Sequence, residues 1–349
     1  MKATLLEALV WSTLKKLLIG CVGVLVALGQ AIPSEAQQRD TGQPGNGKLK
    51  VFLLAGQSNM QGHGVIQSNP DRNGGKGSLE YLVKNEETRA QFSHLVDKDG
   101  HWKSRKDVWI WYLDRKGELT TGYGANEKLI GPELQFGHVV GDYFDDQVLL
   151  IKTAWGGKSV AVDFRSPGSG KIGPEFSEQF IEQLKEKPET VGFYYREMLR
   201  HFRGVLKGLK AEFPSYDGKG YEVVGVGWHQ GWNDRVNQSF NDHYQENLAR
   251  MIKDLRKDLQ LPLLPFVIAE TGMSGVNETH PRAVSLMKAQ AAVAKMPEFV
   301  GNVSFVPTRT YFRPKEESPS GQSYHWNTNA QTYFLIGDGM GKAMIKLVQ

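Results

Sequence analysis

The chain has 349 residues and a formal net charge of +4, because 42 Lys and Arg residues nearly balance 38 Asp and Glu residues. This length suits one large α/β domain or two ordinary ones. The small charge and the lack of a basic cluster argue against a nucleic-acid-binding protein. Cys21 is the single cysteine, which excludes an intramolecular disulfide and a cysteine metal site.

The N-terminal stretch has the pattern of a targeting segment. Two lysines precede an apolar run over residues 17–32, and small residues follow up to Ala36. We therefore predict a signal peptide over residues 1–36, cleaved near Ala36, and a flexible lead-in over residues 37–47. The mature protein would be secreted or periplasmic, without a stable membrane span. An uncleaved membrane anchor and a lipoprotein signal ending at Cys21 are the alternatives.

The first strong structural signal is an apolar run that stops at a glycine. Residues 51–55 are all apolar, which predicts a buried strand of a parallel sheet, and Gly56 permits a sharp turn. Ser58 follows between the amides Gln57 and Asn59. In an open α/β sheet the carboxyl ends of strands face the ligand crevice, so Ser58 is a candidate nucleophile. An ordinary Ser/Asn turn after a core strand is the alternative.

A long polar segment follows, over residues 65–128. It contains a predicted helix over residues 79–92 and a predicted aromatic hairpin over residues 108–121. Because it comes directly after the candidate nucleophile, we predict an insertion that lies over the crevice and shapes a substrate site. An ordinary surface excursion is the alternative.

From residue 131 apolar strands alternate with amphipathic helices. The predicted strands cover residues 147–153, 221–228, 264–269 and 302–306, and the predicted helices cover residues 132–144, 193–213, 241–259, 281–295 and 329–347. With the first strand, this pattern predicts a doubly wound five-stranded parallel sheet in one domain over residues 48–349. The glycine-rich residues 337–342 lie inside a helical pattern and lack phosphate-loop spacing.

The predicted strand ends carry polar groups that would meet at one edge of the sheet. Gly156 and Gly157 would let a backbone N–H approach an oxyanion, or would simply form a turn. Asn233 could donate to the same oxyanion, and neighbouring His229 could be a base, a substrate contact or a metal ligand. No second histidine stands at metal-ligand spacing from His229.

Two further groups follow the last two predicted strands. Glu270 supplies a carboxylate at the same edge, or is a buried group satisfied by loop N–H donors. His325 stands just before the final predicted helix, on a loop that can bring its ring towards Ser58.

These blocks resemble those of the SGNH-type hydrolases. The resemblance is carried by Gly56–Met60, by Gly156-Gly157, and by Gln230-Gly231 followed by Asn233-Asp234. The sequence is most similar to the sialate O-acetylesterase-like branch, which includes carbohydrate esterase family 6. The resemblance implies an SGNH/flavodoxin-like fold and removal of O-acetyl groups from carbohydrate, without a metal or organic cofactor.

The resemblance also implies roles for single residues. Ser58 would be the nucleophile and His325 the general base. The backbone N–H groups of Ser58 and Gly157 (alternatively Gly156), with the Asn233 side chain, would form the oxyanion hole.

Two positions depart from the family pattern. Gln322 stands where an Asp commonly precedes the catalytic histidine, so the third member of a triad is open. Glu270 is the first candidate, Asp234 the second, and a backbone carbonyl the third. Trp232 stands where the branch often has a Glu, so a sialic acid specificity does not carry over.

The expected substrate-facing residues are Gln57, Trp155, His229, Gln230 and Trp326, and Trp228 and Trp232 also lie near strand ends. The partner would be an acetylated glycan or polysaccharide. Two other functions stay open. One is a carbohydrate-binding protein that keeps the fold but has lost turnover, and the other is a lipase or thioesterase of the same superfamily.

Overall fold

A computed structural model of the chain describes Gly45, residues 47–173 and residues 176–349. The predicted signal peptide, and all of the predicted lead-in except Gly45 and Gly47, lie outside these described residues. Within the described part of the chain, no helix is both long enough and apolar enough to cross a membrane.

The strands and helices of the described residues follow the predicted alternation. The strands are β1 (Leu49–Gly56), β2 (Gly64–Val65), β3 (Arg105–Tyr112), β4 (Arg115–Leu119), β5 (Leu129–Ile130), β6 (Val148–Ala154), β7 (Tyr221–His229), β8 (Phe266–Ala269) and β9 (Val303–Val306). The α-helices are α1 (Ser58–Gln61), α2 (Leu79–Lys84), α3 (Arg89–Phe92), α4 (Glu133–Tyr143), α5 (Glu178–Glu186), α6 (Phe193–Lys207), α7 (Leu209–Glu212), α8 (Trp232–Arg235), α9 (Gln238–Asp242), α10 (Tyr244–Leu259), α11 (Pro281–Val293) and α12 (Ala330–Val348).

The central sheet has seven strands in the order β4-β3-β6-β1-β7-β8-β9, and only β4 runs antiparallel to its neighbour. The predicted fold class and its five parallel strands are therefore confirmed, but the predicted strand count is too low. The predicted hairpin is β3 and β4, which extend the edge of the sheet, so its expected place over the crevice was wrong. The physical reason is that Val108 and Ile110 are buried on one face of the sheet, and Trp109 and Trp111 on the other.

The sheet is buried on both faces, as a run of apolar residues in a parallel strand requires. Along β1, Val51 and Leu53 pack towards α6, α10 and α11, whereas Phe52 and Leu54 pack towards α4 and α12. All four side chains are fully buried. The period-two alternation of strand side chains thus places one helix layer on each face.

Two glycines bring α12 against α4. A Cβ atom at Gly337 would stand 2.2 Å from the carbonyl oxygen of Pro132, and one at Gly341 would stand 2.7 Å from Cβ of Val139. The glycine-rich residues 337–342 are therefore a helix-packing surface inside α12.

Two predicted helices are divided in the structure. The helix predicted over residues 79–92 ends at Lys84, because the Asn85 side chain accepts a hydrogen bond from the N–H of Glu87 (3.0 Å) and starts a turn. The helix predicted over residues 193–213 breaks at Gly208, which separates α6 from α7.

The order of the strands decides where the site lies. The chain first places β3, β4 and β6 on one side of β1, and then β7, β8 and β9 on the other. The carboxyl ends of β6, β1 and β7 are consequently neighbours at the point where the winding reverses. In open α/β sheets this point forms the ligand crevice.

Candidate active site

Ser58 follows β1 by a turn that only glycine can make. A Cβ atom at Gly56 would stand 2.2 Å from the carbonyl oxygen of His229, which ends β7. The backbone N–H of Gln57 donates to that same carbonyl (3.2 Å). Ser58 is half-buried and begins the short helix α1. The nucleophile predicted from the sequence therefore lies at the switch point, between the ends of β6 and β7.

Gln57 joins the serine block to the loop after β7. Its side-chain oxygen accepts hydrogen bonds from the backbone N–H groups of Asn233 (3.2 Å) and Gly231 (3.4 Å), and from the Gln230 amide (3.3 Å). Gln57, His229 and Gln230 are each only 1% exposed. The structure therefore places these three expected substrate contacts beneath the site, where they hold its loops together.

Asp234 has a similar structural task. It is fully buried and accepts hydrogen bonds from the backbone N–H groups of Val160 (2.9 Å) and Ala161 (2.9 Å), and from the Gln230 amide (2.6 Å). Burial raises the pKa of Asp234 to about 7, although these donors act in the opposite direction. Asp234 thus fastens the loop after β6 to the loop after β7.

Two of the candidate oxyanion donors, Gly157 and Asn233, lie on the two loops that Asp234 joins. The N–H of Trp155 donates to the carbonyl of Gly56 (3.2 Å), which brings the glycine pair beside the serine turn. Gly157 is exposed, has φ +67°, and has open space where a Cβ atom would stand. Asn233 is half-buried, and its side-chain amide has no hydrogen-bond partner among the described residues, so it is free to donate to a ligand.

The loop that carries His325 has an unusual backbone. Trp326, Asn327 and Thr328 all have φ between +52° and +56°, a region that side-chain-bearing residues seldom adopt. The carbonyl of Gln322 accepts hydrogen bonds from the N–H groups of His325 (2.8 Å) and Asn327 (3.0 Å). Such strain persists only where the surroundings over-determine the conformation, and it is frequent at functional sites.

Trp326 anchors this loop. Its side chain is 0% exposed and packs in the core layer that contains α4 and α12. The expectation that Trp326 contacts substrate was therefore wrong, because a fully buried indole has no face left for a sugar ring.

Asn59 and Tyr333 bring the loops of Ser58 and His325 together. The Asn59 amide donates to the carbonyl of Tyr324 (3.2 Å), and its oxygen accepts from the Tyr333 hydroxyl (2.9 Å). The same hydroxyl lies 3.4 Å from the carbonyl of His325. The residues next to Ser58 and to His325 are thus joined although they lie far apart in the sequence.

The ring of His325 is half-buried, and this burial lowers its pKa to about 4. The imidazole is consequently neutral at pH 7 and able to accept a proton. Within the described part of the chain, no hydrogen bond joins the side chains of Ser58 and His325. Catalytic hydrogen bonds are often long in a free enzyme and shorten in the substrate complex.

Neither carboxylate expected as a triad acid contacts His325. Glu270 accepts hydrogen bonds from the N–H groups of Thr308 (2.9 Å) and Arg309 (3.3 Å), and its other oxygen lies 3.1 Å from Nε of Arg309. Asp234 binds the loop after β6, as described above. Among the described residues no carboxylate forms an ion pair or hydrogen bond with His325, so the structure corrects both assignments.

Sequence reasoning missed a buried ion pair under α1. Nζ of Lys152 donates to Glu133 (2.7 Å) and to the carbonyls of Gln61 (2.6 Å) and Tyr123 (2.7 Å). Both charged side chains are 0% exposed. Burial raises the pKa of Glu133 and lowers that of Lys152 to about 8. A lysine inside an apolar strand was the available sequence signal.

His63 was missed as well. Its ring lies face to face with the ring of His325, with centroids 3.7 Å apart and an interplanar angle of 8°. Nothing in the local sequence marks His63 as the neighbour of a residue so far along the chain.

Aromatic side chains flank the site. Trp232 lies under the guanidinium of Arg235 (4.3 Å) and beside the ring of Tyr324 (5.9 Å). Tyr324 is 41% exposed, and its ring centroid lies 4.5 Å from that of His325. Trp155 is half-buried against Tyr194 (5.0 Å).

One group of side chains in the described residues has the spacing to hold a metal ion, namely Asp97, Asp99 and His101. All three are exposed, and Asp97 accepts hydrogen bonds from the backbone N–H groups of the other two (2.9 Å each). Exposed acidic turns of this kind form without an ion.

A family model described as carbohydrate esterase, sialic acid-specific acetylesterase (SASA) matches residues 48–346. The sequence matches none of the curated proteins.

Two solved structures show the same fold. A protein of Arabidopsis thaliana has a TM-score of 0.52 and 17% identity, with 86% of this chain and 99% of that chain covered. XAC1771 of Xanthomonas citri, described as a novel carbohydrate acetylesterase, has a TM-score of 0.50 and 13% identity, with 85% of this chain and 56% of that chain covered. Because the family model spans nearly all of the described residues and the fold is shared, the chain belongs to the sialic acid-specific acetylesterase family of carbohydrate esterases, which are carboxylic ester hydrolases.

Proposed function

We propose that the protein is a serine esterase that removes O-linked acetyl groups from carbohydrate through an acyl-enzyme. The observation that carries the proposal is the junction made by Asn59 and Tyr333, which holds the loops of Ser58 and His325 together at the switch point of the sheet. Acyl transfer needs a nucleophile and a base that accepts its proton, and Ser58 and the neutral imidazole of His325 stand on adjoining loops.

The proposed reaction has two halves. The imidazole of His325 takes the hydroxyl proton as Oγ of Ser58 bonds to the ester carbonyl carbon. The bond to the sugar oxygen then breaks, and that oxygen leaves with the proton from His325. Water next attacks the acetyl-serine and gives a proton to the same imidazole. Acetate departs, and Ser58 regains its proton.

The carbonyl oxygen becomes negatively charged in both halves. The N–H groups of Ser58 and Gly157 and the side-chain amide of Asn233 are the proposed donors. Asp234 and Gln57 support this arrangement because they fix the two loops before substrate binds. One well-placed donor of this kind contributes about 3–4 kcal/mol to the transition state.

We assign sugar recognition to the aromatic side chains beside His325. Tyr324 has an exposed ring, and Trp232 lies next to it. Aromatic faces of this type suit the apolar faces of sugar rings, and the polar surroundings favour a short acyl group. Trp155 is a further candidate contact. With a signal peptide over residues 1–36, the enzyme would act on glycans outside the cytoplasm.

The test is hydrolysis of 4-nitrophenyl acetate and acetate release from acetylated oligosaccharides, measured for wild type, Ser58→Ala and His325→Ala. We expect each variant to lose at least about three orders of magnitude in kcat. Ser93→Ala is the matched control, because Ser93 is exposed and lies on α3's C-terminal side. Equal rates for wild type and Ser58→Ala would rule out the assignment.

A panel of 4-nitrophenyl esters of increasing acyl length separates the rival enzymes. Acetyl esters should be the best substrates, whereas a lipase or thioesterase would prefer longer chains. Tight glycan binding without hydrolysis of any ester would indicate the non-catalytic binding protein instead.

A further inference from the structure

The paired rings of His63 and His325 are the feature that the proposed reaction leaves unexplained. Their centroids lie 3.7 Å apart and their planes differ by 8°, so each ring covers one face of the other. Two imidazoles in this arrangement cannot both be protonated without strong repulsion. Burial, the neighbouring His325 and the charge of Lys152 lower the pKa of His63 to about 3, so of the two rings His63 is the one that is harder to protonate.

The backbone of His63 lies against α12. Its N–H lies within hydrogen-bonding reach of the Tyr333 hydroxyl, the same group that contacts Asn59 and the carbonyl of His325. The following residue, Gly64, is packed so closely that a Cβ atom would stand 3.0 Å from Cα of Ala330. In contrast, Nε2 of His63 is buried without a hydrogen-bond partner among the described residues. The contact of this ring with His325 is therefore made through its face.

A general base of this type ordinarily needs a partner. In a Ser-His-Asp triad the acid holds the imidazole in the correct orientation and stabilises the imidazolium that forms. Within the described residues, no carboxylate contacts His325, and the hydrogen bonds of Gln322 to this loop come from its backbone carbonyl and its backbone N–H. The ring of His63 is the one that lies face to face with the His325 imidazole, whereas the ring of Tyr324 meets it at an angle of 59°.

We propose that His63 is a positioning residue for the general base, and that its stacked ring fixes the orientation of the His325 imidazole in place of a triad carboxylate. The inference rests on the proposed esterase function. The flat, neutral face of His63 also lies where the imidazolium of His325 forms during each half-reaction, and a π face attracts a cation.

A positioning role can be separated from a merely structural one by the pH profile. The titratable or charged groups around the pair are Lys152 from β6, Tyr324 beside His325, and Tyr333 from α12. His63 shields one face of His325 from water. A substitution that removes the ring admits water, so the pKa of His325 moves up from about 4 towards the ordinary value of 6.5. A substitution that keeps a flat ring leaves that pKa where it is.

The experiment measures kcat, KM and the pH dependence of kcat/KM on 4-nitrophenyl acetate for His63→Phe, His63→Gln and His63→Ala. His101→Ala is the control for loss of a histidine, since its side chain is 80% exposed. Thermal unfolding is recorded for every variant. We expect His63→Phe to stay within about threefold of wild type, and His63→Gln and His63→Ala to lose about tenfold in kcat with little change in KM. The acidic limb of their profiles should move to higher pH.

Three outcomes decide the matter. Rescue by phenylalanine, with the limb shifted only in the alanine and glutamine variants, supports the inference. A loss in all three variants that follows their melting temperatures, with an unshifted limb, overturns it, as does wild-type activity for His63→Ala. If Ser58→Ala itself remains active, the esterase function fails first, so failure of the two proposals can be told apart.

Discussion

The buried ion pair of Lys152 and Glu133 gives the sharpest test of how the fold supports Ser58. Nζ of Lys152 makes three hydrogen bonds of 2.6–2.7 Å, and one of them ends on the carbonyl of Gln61, the last residue of α1. Both side chains are 0% exposed. We predict that Lys152→Met destabilises the protein strongly and lowers its activity.

The magnitude follows from what the substitution leaves behind. Removing one partner of a buried pair leaves the other charge uncompensated, which costs about 3–5 kcal/mol. Glu133 would lose its charged partner and keep backbone donors such as the N–H of Gly131 (2.7 Å), and the carbonyls of Gln61 and Tyr123 would lose the ammonium donor. Out of a total unfolding free energy of about 5–15 kcal/mol, this loss is large. It corresponds to a fall of about 10 °C in Tm.

The assay is urea and thermal unfolding of Lys152→Met, Glu133→Gln and the double variant, with kcat measured where each is folded. The double variant should recover part of the loss, because no unpaired charge remains buried while the amide oxygen introduced by Glu133→Gln can still accept from the N–H of Gly131. A single variant within about 1 kcal/mol of wild type, or a double variant as unstable as the sum of both singles, would refute the reasoning.

Three more predictions follow from the site. Asn233→Ala should lower kcat by about 10²–10³-fold with little change in stability, because the side chain has no structural partner among the described residues. Trp326→Ala should cost about 3–5 kcal/mol and also lower kcat, because a fully buried side chain anchors the His325 loop. The acidic limb of kcat/KM should lie near pH 4 rather than 6.5, because burial lowers the pKa of His325.

Each of these has its own check. For Asn233→Ala, an unchanged kcat on acetyl esters would remove this residue from the oxyanion hole. Trp326→Phe is the matched variant, and it should lose less stability than Trp326→Ala in urea unfolding.

The lowered pKa of His325 also predicts how the stability of the protein changes with pH. The pKa of His325 in the folded protein lies below its ordinary value, so the unfolded chain binds a proton at this residue more readily. The contribution of His325 to the free energy of unfolding is therefore fully present above pH 6.5, and it is lost as the pH falls towards 4. Maximal melting temperature at pH 4 would contradict it.

The strands could be predicted from the sequence because each depends on a short, local pattern of residues. A buried strand needs consecutive apolar residues, and residues 51–55 supply them whatever their neighbours are. Ser58, Gly157 and Asn233 follow such strands directly, and parallel strands bring their ends to one edge of the sheet. The place of β3 in the sheet has no such local signal, because an aromatic hairpin has the same pattern whether it joins a sheet edge or covers a crevice.

The side-chain partners needed the tertiary structure. His229, Gln230 and Trp326 have the chemistry of ligand contacts, yet burial makes them supports of the loops. Glu270 has the charge of a triad acid, but its carboxylate accepts hydrogen bonds from two loop N–H groups and forms an ion pair with Arg309. Residue type does not decide between these roles, because what matters is which face of the folded chain the side chain reaches.

The sequence by itself determined the order of strands and helices, the glycine turn before Ser58 and the family to which the chain belongs, since these depend on periodicity and short motifs. Only the tertiary structure decided that Asn59 reaches Tyr324, that His63 covers His325, and that Lys152 lies under α1. Contacts across such distances in sequence result from the packing of whole layers. No local pattern of residues encodes them.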